Sequence, residues 1–393
     1  MSSRVLVAGV GMIPFVKPSA AEPYTIMGPK AVRLALLDAG VGYEEIQQVV
    51  AGYVYGDSTC GQRVVYDVGM TGIPVINVNN NCSTGSTALF LARQAIESGA
   101  IDCALAVGFE QMAPGALANV FSDRPPPLGR WVEQSQALQP SAGAPSAPHL
   151  FGGAGVEYQQ KYGTKNETFA KISEKARKHA FHNDKAIFRE LVSVEQVLAT
   201  PQIYGVLTRL QCCPPTCGAA AAVLVSESFA KKHGLEPPVA ILGQAMATDF
   251  PSTFGARSMV KAVGYDMSKS AAESAYAQAG VGPEDIDVCE LHDCFTANEL
   301  LSYEALDFTP EGTAEKFIWD GDNTYGGKVV TNPSGGLLSK GHPLGATGLA
   351  QCCELVEQLR GNCGPRQVAG ARLALQHNIG IGGACVVTLY GHA

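Results

Sequence analysis

Charge, basic clusters and long apolar runs are scarce in this 393-residue sequence, and each shortage excludes a class of protein. Charged residues make up 16 % of the chain, the net charge is −8, and no block of five Lys or Arg residues occurs. Because phosphate backbones are bound by a concentrated basic face, the composition excludes nucleic acid as the main partner. No apolar run approaches the ~18 residues that cross a bilayer, so we expect no membrane span.

Targeting signals and zinc-type cysteine spacings are absent as well. Residues 5–10 are too short and too glycine-broken for the core of a signal peptide, and the final Gly-His-Ala is not a Ser-Lys-Leu peroxisomal address. We therefore expect most of the twelve cysteines to be free thiols in a reducing compartment. They form no CxxC…CxxC pair and no Cys/His tetrad, so the sequence predicts no metal site.

What the chain does contain is a large apolar fraction and an internal repeat. Hydrophobic residues make up 46 %, enough for a large core, and the length corresponds to two or three domains of roughly 150 residues each. Residues 39–46 (AGVGYEEI) return as residues 279–286 (AGVGPEDI), each between a helix-like stretch and a β-rich one. In both copies a glycine is expected to stop the helix before a strand enters the core.

A second pair of similar segments extends the repeat. Residues 82–89 (CSTGSTAL) and 342–349 (HPLGATGL) share Gly, Thr and Leu three, five and seven residues after the Cys or the His. Each segment begins a helix-like stretch that leads to an apolar strand, and this alternation indicates an α/β fold with a buried sheet. Two copies of one unit predict a pseudo-twofold pair of domains, with Cys82 and His342 at equivalent positions facing one cleft.

The two halves are separated by a segment of different composition. Residues 122–148 are rich in Pro, Ala, Gly and Ser, and a stretch of mixed helical character follows. We predict an N-terminal half at 1–120, an inserted loop domain with the return to that half at 121–240, and a C-terminal half at 241–393. The insertion carries much of the positive charge, either as a solvated helix face or as a mouth for a phosphate-bearing ligand. These basic residues are Lys161, Lys165, Lys171, Lys175, Arg177, Lys178 and Lys185.

Two candidate catalytic residues lie at the starts of the repeated helices. Cys82 is on a strand-to-helix turn, where the N–H groups and the helix dipole favour the thiolate. We therefore expect its pKa to be lowered and its sulfur to be nucleophilic; the alternative is a buried cysteine without a catalytic role. His342 is fixed on a sharp turn by a glycine-rich segment. It is either a core histidine or an imidazole that takes the proton of the thiol.

Two further groups follow apolar strands. His292, Asp293 and Cys294 come directly after the strand-like residues 287–291, at the end of the strand where α/β sheets bind ligands. The alternative is a metal-free loop in which the histidine is hydrogen-bonded to Asp293. The glycine run at 380–383 follows another strand, and it either presents backbone N–H donors to an oxyanion or simply turns the chain.

Together these motifs resemble those of the thiolases. The resemblance rests on residues 81–85 (NCSTG), 340–348 (KGHPLGATG) and the glycine-rich C-terminal loop, and it spans essentially the whole chain. Residues 57–63 (DSTCGQR) and 292–295 (HDCF) are similar to the sterol carrier protein X group; ordinary thiolases have an Asn-Glu-Ala-Phe-like segment in place of HDCF. The family implies the thiolase fold, two duplicated βαβαβαββ halves packed as a layered α/β/α/β/α core with an inserted loop domain.

The resemblance implies thiolytic cleavage of a 3-oxoacyl-CoA to acetyl-CoA or propanoyl-CoA and a shortened acyl-CoA through an acyl-cysteine. Cys82, deprotonated with the help of His342, is expected to attack the 3-keto carbon. Ordinary thiolases use a cysteine of a C-terminal Cys-x-Gly motif as acid and base, but this position reads Gly-Ile-Gly here, so Cys294 is expected to replace it. The expected oxyanion-hole donors are His292 with a water, His342 sharing that site, and the backbone N–H groups of Cys82 and Gly382.

The same resemblance sets expectations about partners and location. Coenzyme A is expected as a substrate, with no cofactor and no metal, and Phe151 and Cys213 are expected to line its site. We expect a homodimer formed through the edge strands of the N-terminal half. The family suggests the peroxisome, with an address on a further C-terminal domain, and the cytoplasm is the alternative. Cys217 stands where relatives tend to have Asp, and the sequence offers no reason for the change.

Two other functions fit part of the sequence. A ketosynthase-like condensing enzyme on the same fold would use Cys82 with His292 and His342 and would obtain its enolate by decarboxylation, without a thiol acid. A non-catalytic acyl-CoA- or lipid-binding module would need none of these side chains. Within the thiolase interpretation, the sequence does not distinguish among straight, branched and sterol side-chain acyl groups of peroxisomal β-oxidation as substrates.

Overall fold

The computed structural model describes residues 4–113, 121–235 and 239–393. The predicted domain boundary after residue 120 therefore adjoins residues 114–120, which lie outside the described residues. The described strands are β1 (Val5–Met12), β2 (Gln48–Gly52), β3 (Val75–Val78), β4 (Cys103–Glu110), β5 (Gln202–Tyr204), β6 (Leu207–Thr208), β7 (Gly218–Ser226), β8 (Val239–Ala247), β9 (Val288–Glu290), β10 (Val330–Thr331), β11 (Leu373–Gly380) and β12 (Ala384–His392). The described helices are α1 (Tyr24–Ala39), α2 (Cys60–Tyr66), α3 (Thr84–Glu97), α4 (Gly129–Leu138), α5 (Ser146–Tyr162), α6 (Asn166–Ala180), α7 (Val194–Leu198), α8 (Glu227–His233), α9 (Ser252–Gly255), α10 (Met259–Ala262), α11 (Tyr265–Ala279), α12 (Thr296–Ala305), α13 (Ala314–Trp319), α14 (Gly336–Ser339) and α15 (Thr347–Arg360).

Ten of the described strands form one mixed sheet, in the order β10-β9-β11-β12-β8-β1-β7-β4-β2-β3, and β5 and β6 form a separate hairpin. The two halves of the chain meet where β1 pairs antiparallel with β8, through Leu6 with Ala240 and Val7 with Val239. Hydrogen bonding therefore runs without a break from one half of the chain to the other.

The topology of this sheet repeats. The N-terminal half orders its strands β3-β2-β4-β7-β1, and the C-terminal half orders them β10-β9-β11-β12-β8. In each half the first three strands are parallel, and the next two are antiparallel to their neighbours. Corresponding strands occupy the same place with the same direction, so the predicted duplication and the α/β class are confirmed.

The repeated AGVG segments end equivalent helices. Gly40 follows the last residue of α1 and Gly280 follows the last residue of α11, and their φ angles are 67° and 68°. Side chains rarely adopt this left-handed conformation, and glycine adopts it without strain. A short 3-10 turn follows each glycine, Tyr43–Glu45 in one half and Pro283–Asp285 in the other, before the chain enters β2 or β9.

The helices divide the molecule into five layers. α3 and α15 contact each other and lie between the two halves of the sheet, whereas α1 covers the outer face of β1 and β7 and α11 that of β8 and β12. α15 buries twelve of its fourteen residues because it has sheet on both sides and α3 beside it. The N-terminal ends of α3 and α15, where the two candidate catalytic residues stand, are thus inside the molecule.

The chain between β4 and β7 holds α4 to α7 and the β5–β6 hairpin, and α5 and α6 pack on α12. Its basic residues do not form one solvated face, because Lys175 and Arg177 are buried. Lys175 is paired with Glu299 and donates to Thr331 Oγ1 at 2.6 Å. Arg177 lies 3.6 Å from Glu190, and Lys161 lies 2.8 Å from Glu311. No helix of the described residues is long and apolar enough to cross a membrane.

Candidate active site

Three side chains that are far apart in the sequence meet at the start of α3. Cys82, His292 and His342 each contribute one atom, a sulfur or a ring nitrogen, and these atoms all lie within 4.8 Å of one another. The two imidazole rings stand edge to face, with centroids 5.1 Å apart. The sequence analysis named all three residues, and the structure brings them together; their catalytic roles stay predictions.

The turn that carries Cys82 is held by the glycine-rich loop after β11. Asn81 has a left-handed backbone, with a φ of 53°, and its side-chain Nδ2 donates to the carbonyl of Ile381 at 3.0 Å. A Cβ on Gly380 would lie 2.0 Å from the carbonyl oxygen of Asn80, so only glycine lets the loop approach this closely. Gly382 therefore lies beside the turn, and the use of its N–H as an oxyanion donor stays a prediction.

His342 is held in a defined orientation and tautomer. Its Nδ1 lies 2.7 Å from Thr347 Oγ1, and that hydroxyl donates its own proton to the carbonyl of Pro343 at 2.9 Å. The hydroxyl must therefore accept from the imidazole, which places the ring proton on Nδ1. Nε2 is buried and has no hydrogen-bond partner. It is the unprotonated nitrogen, the form that can accept a proton.

Burial determines the protonation of the site at rest. Burial and, to a smaller extent, the charge of Glu110 raise the pKa of Cys82 to about 12. The expected lowering of this pKa by the helix start is therefore wrong, because removing the thiolate from water outweighs the helix dipole. Burial lowers the pKa of His342 to about 3. Cys82 and His342 rest as a neutral thiol beside a neutral imidazole.

Close contacts across the pseudo-twofold axis explain the repeated glycines. A Cβ on Gly85 would lie 2.8 Å from the carbonyl oxygen of Gly345, the glycine at the matching position of the other half. A Cβ on Gly348 would lie 2.2 Å from Ser86 Oγ. The first turns of α3 and α15 therefore touch backbone to backbone, and this contact brings Cys82 and His342 together.

Cys294 and Cys213 are joined through their backbones near Cys82. The N–H of Cys213 donates to the carbonyl of Cys294 at 2.9 Å, next to an antiparallel bridge between Cys212 and Phe295. Burial raises the pKa of both the Cys213 and the Cys294 thiols, and the nearby Cys82 raises them further. Cys213 is thus part of the site wall, while its contact with coenzyme A stays a prediction.

Two other sequence-predicted residues are structural neighbours of the site. Phe151 is 2 % exposed and stacks on Phe295 with ring centroids 5.1 Å apart, so it supports the segment that carries Cys294. Its role at coenzyme A stays a prediction. Cys217 accepts a hydrogen bond from the N–H of Met112 at 3.1 Å, which gives this buried thiol a partner at the end of β4.

Asp293 does not serve the histidine beside it. Its carboxylate accepts from the N–H groups of Leu337 and Leu338, at 2.7 and 3.3 Å. The alternative of a loop in which His292 is hydrogen-bonded to Asp293 is therefore wrong. Nδ1 of His292 instead lies 3.0 Å from the side-chain nitrogen of Asn378.

Sequence analysis missed three groups that organise the site. Glu290 and Lys340 stand two residues before His292 and His342, and they form a buried ion pair of 3.1 Å that joins the two segments. Glu110 accepts from the N–H of Gly345 at 3.0 Å and so links β4 to the segment before α15. Glu290, Lys340 and Glu110 could have been found from the sequence, because each is a charged residue inside an apolar strand or a glycine-rich motif. Asn378 carried no such signal.

The chain matches two family models, the thiolase N-terminal domain over residues 5–130 and a thiolase C-terminal domain-like model over residues 254–390. The chain therefore belongs to the thiolase family. Within it, the chain is 56 % identical to sterol carrier protein 2 of Oryctolagus cuniculus over 391 residues, which are 98 % of this chain and 72 % of that protein. It is 34 % identical to benzoylsuccinyl-CoA thiolase subunit BbsB of Thauera aromatica, over 100 % of this chain and 98 % of that one. These findings make it a thiolase-type enzyme of lipid metabolism.

Solved structures show the same fold. An Ltp2-ChsH2(DUF35) aldolase superposes with a TM-score of 0.83 at 22 % identity, covering 99 % of this chain and 98 % of that one. Human mitochondrial 3-ketoacyl-CoA thiolase superposes with a TM-score of 0.75 at 21 % identity, covering 100 % and 99 %. The predicted thiolase fold is confirmed, and at these identities the likeness is one of fold alone.

Proposed function

We propose that this chain cleaves a 3-oxoacyl-CoA with coenzyme A to acetyl-CoA or propanoyl-CoA and a shortened acyl-CoA. The observation that supports this is the approach of one thiol and two imidazoles, Cys82, His292 and His342, within 4.8 Å of one another. Cys294, a buried second thiol two residues after His292, supplies the acid that the reaction needs. The name of a relative at 34 % identity, benzoylsuccinyl-CoA thiolase subunit BbsB, supports an acyl-CoA substrate.

Cys82 is the nucleophile of the first step. Its thiol gives its proton to Nε2 of His342 while the sulfur bonds to the 3-keto carbon. The keto oxygen takes up the negative charge, and the backbone N–H groups of Cys82 and Gly382 stabilise it. Because both partners are neutral at rest, the thiolate forms only as the attack proceeds.

Collapse of the tetrahedral intermediate breaks the bond between C2 and C3. The acyl group stays on Cys82, and the enolate of acetyl-CoA or propanoyl-CoA leaves with its negative oxygen beside His292. The thiol of Cys294 protonates C2 and becomes a thiolate. Burial raises the pKa of Cys294, so this residue begins the step in the protonated form that an acid needs.

The roles reverse in the second half-reaction. The Cys294 thiolate takes the proton of an incoming CoA thiol, whose sulfur attacks the thioester on Cys82. His342 returns its proton to the departing Cys82 sulfur. All three residues regain their starting protonation states, so coenzyme A acts as a substrate and the proposal requires no cofactor.

A thiolysis assay with product analysis tests the proposal. Straight-chain 3-oxoacyl-CoAs are expected to give acetyl-CoA, and 2-methyl-branched or bile-acid-type ones are expected to give propanoyl-CoA, as detected by mass spectrometry. Cys82→Ala should abolish turnover, while Cys103→Ala, which truncates a buried cysteine in β4, is the matched control. Cleavage of a 3-hydroxyacyl-CoA to an aldehyde, with no cleavage of the 3-oxoacyl-CoA, would indicate an aldol reaction instead and would contradict thiolysis.

The two alternatives make different predictions. Cys294→Ala should lower thiolysis by at least ~100-fold, the usual contribution of a positioned acid or base, whereas a decarboxylating condensing enzyme would not need this thiol. A non-catalytic binding module predicts uniform labelling of the cysteines by iodoacetamide. The proposal predicts instead that Cys82 is labelled fastest and that acyl-CoA suppresses this labelling.

We also propose that two copies of the chain pair through β3. This strand is at one end of the sheet, and Ile76 on it is 41 % exposed. An open strand edge is a template for pairing with another chain. Ile76→Lys should shift the protein toward a monomer in size-exclusion chromatography. A wild-type chain that elutes as a monomer at every concentration would contradict the dimer.

We propose a role in peroxisomal β-oxidation, on straight, branched or sterol side-chain substrates. The similarity to sterol carrier protein 2 over 98 % of this chain supports a lipid substrate, and the subgroup resemblance supports the organelle. Imaging of the tagged full-length protein with a peroxisomal marker tests the location. A diffuse cytoplasmic signal would contradict it.

A further inference from the structure

A chain of buried hydrogen bonds ends on His292. Tyr390 Oη donates to Gln376 Oε1 at 2.5 Å, and Gln376 Nε2 lies 2.8 Å from Ser86 Oγ. Ser86 Oγ lies 2.8 Å from Asn378 Oδ1, and Asn378 Nδ2 lies 3.0 Å from Nδ1 of His292. All of these side chains are buried, so water does not replace any link. The chain joins both halves of the molecule.

The direction of every bond in this chain follows from one carbonyl. Gln376 Nε2 also contacts the backbone carbonyl of Gly348 at 2.6 Å, and a carbonyl only accepts, so the atom that faces it is the NH₂ group. Its second proton goes to Ser86 Oγ at 2.8 Å, which is closer than Gln351 Oε1 at 3.4 Å. The only acceptor in contact with the Ser86 hydroxyl among the described residues is Asn378 Oδ1, so the serine directs its own proton there. Asn378 therefore presents its oxygen to Ser86 and its NH₂ group to His292.

We infer that Ser86 and Asn378 are positioning residues that hold His292 with its single proton on Nε2. The NH₂ group of Asn378 can only donate, so Nδ1 of His292 must accept, and a neutral imidazole then has its proton on the other nitrogen. Burial, with His342 and His377 nearby, lowers the pKa of His292 and keeps the ring neutral.

The two histidines of the site therefore differ in tautomer. Thr347 leaves His342 with an unprotonated Nε2 that can accept a proton, whereas Asn378 leaves His292 with a protonated Nε2 that can donate a hydrogen bond. On the proposed function, this lets one ring deprotonate Cys82 while the other stabilises the enolate oxygen. It also leaves His292 Nε2 without a lone pair, so Cys82, His292 and His342 do not fit a metal ion as three ligands.

Nitrogen-15 NMR of the full chain with labelled histidine tests the inference without any assay of activity, because the two ring nitrogens report the tautomer. The signals of His292 are identified among those of the eight histidines as the ones that disappear in the His292→Asn variant. We expect His292 to be neutral with its proton on Nε2 in the wild type. A proton on Nδ1 in the wild type would overturn the inference even if the protein is an active thiolase, and the NMR result stands even if thiolysis is never observed.

Asn378→Asp is the informative variant. A carboxylate only accepts, so it should draw the ring proton to Nδ1 and remove the donor from Nε2. Thiolysis should fall about 100-fold, the usual loss for one oxyanion donor, while the rate of Cys82 alkylation, which depends on His342, stays within about twofold of wild type. Equal losses in both measurements would indicate a merely structural role and would overturn the inference.

Ser86→Ala tests the next link without introducing a charge, and it keeps the inference testable if Asn378→Asp does not fold. Without the hydroxyl, the Asn378 amide is free to turn, so NMR should show both tautomers of His292. Ser135→Ala removes another buried serine hydroxyl, in α4, and should change neither the tautomer nor the rate. A single, wild-type tautomer in Ser86→Ala would overturn the assignment of Ser86.

Discussion

Glu110 links β4 to the glycine-rich segment that carries His342, and it should make the folding stability depend on pH. The carboxylate is 1 % exposed and accepts from the backbone N–H groups of Val54, Tyr55 and Gly345 at 2.9–3.1 Å. These bonds favour the ionised form, but burial outweighs them and raises its pKa from 4.5 to about 7. Between these two values the folded chain holds this proton and the unfolded chain releases it.

The sign and the size of the effect follow from that difference. A raised carboxyl pKa means that the folded state binds the proton more tightly, so the contribution of Glu110 to stability is greatest below pH 4.5 and is lost as the pH rises to 7. At 1.36 kcal/mol for each pKa unit, the loss attributable to Glu110 amounts to about 3 kcal/mol. Glu110→Gln removes the ionisable group and should flatten this part of the pH profile.

Urea unfolding of the wild type and of Glu110→Gln between pH 4.5 and 7.5 measures the effect. The relevant quantity is the difference between the two free energies of unfolding at each pH, because the remaining titratable groups are common to both proteins. Relative to the variant, the wild type should become less stable as the pH rises. A difference that is constant with pH, or one that favours the wild type at higher pH, would refute the reasoning.

Other contacts around the site give expectations that simple measurements check. Lys340→Met leaves the buried carboxylate of Glu290 without its cation and should lower the free energy of unfolding by about 3–5 kcal/mol. Adding Glu290→Gln should restore part of this loss in urea unfolding, and a double variant no more stable than the single one would contradict the pairing. Gly85→Ala places a Cβ 2.8 Å from the carbonyl oxygen of Gly345 and should cost about 1–3 kcal/mol in the same assay. Alkylation of Cys82 by iodoacetamide should keep accelerating above pH 9, since burial raises its pKa to about 12, and a plateau below pH 8 would contradict this.

The repeats in the sequence were sufficient to predict the duplicated architecture and the meeting of Cys82 with His342. Both inferences rest on local patterns, a glycine that ends a helix and a helix start that recurs in each half, and such patterns survive in the folded chain. The place of His292 after a strand indicated a ligand-binding region, and its convergence on Cys82 and His342 was expected from the family resemblance. These parts were predictable because each depends on a few neighbouring residues.

What could not be predicted depends on contacts between distant segments. The pKa of Cys82 is set by how deeply the turn is buried, which a helix-start argument does not contain. Glu110 and Gly345 are 235 residues apart, and neither suggests the other. Lys175 belongs to a basic run in the sequence, yet its side chain is buried in the core, where it forms an ion pair with Glu299. In each case the tertiary environment overrides a local preference.

The duplication also explains where the chemistry is placed. β2 pairs with β4 so that Gly52 faces Gly108. The equivalent pairing of β9 with β11, continued by two residues, sets His292 opposite Asn378. A Cβ on Gly108 would lie 2.1 Å from the carbonyl oxygen of Gly345, so the N-terminal half fills this position with close backbone packing.

The C-terminal half fills the equivalent position with side chains. By the offset that relates Cys82 to His342, Ser86 corresponds to Ala346, which lies 3.0 Å from a Cβ built on Gly108. The contact between Asn378 and Ser86 is therefore the symmetry mate of a contact between a glycine and an alanine. In one copy of the repeat, the contact of Gly108 with Ala346 closes the core. In the other copy, the equivalent contact of Asn378 with Ser86 orients the imidazole of His292. A fold that brings equivalent helix starts together can thus carry different side-chain groups at matched positions of its repeat.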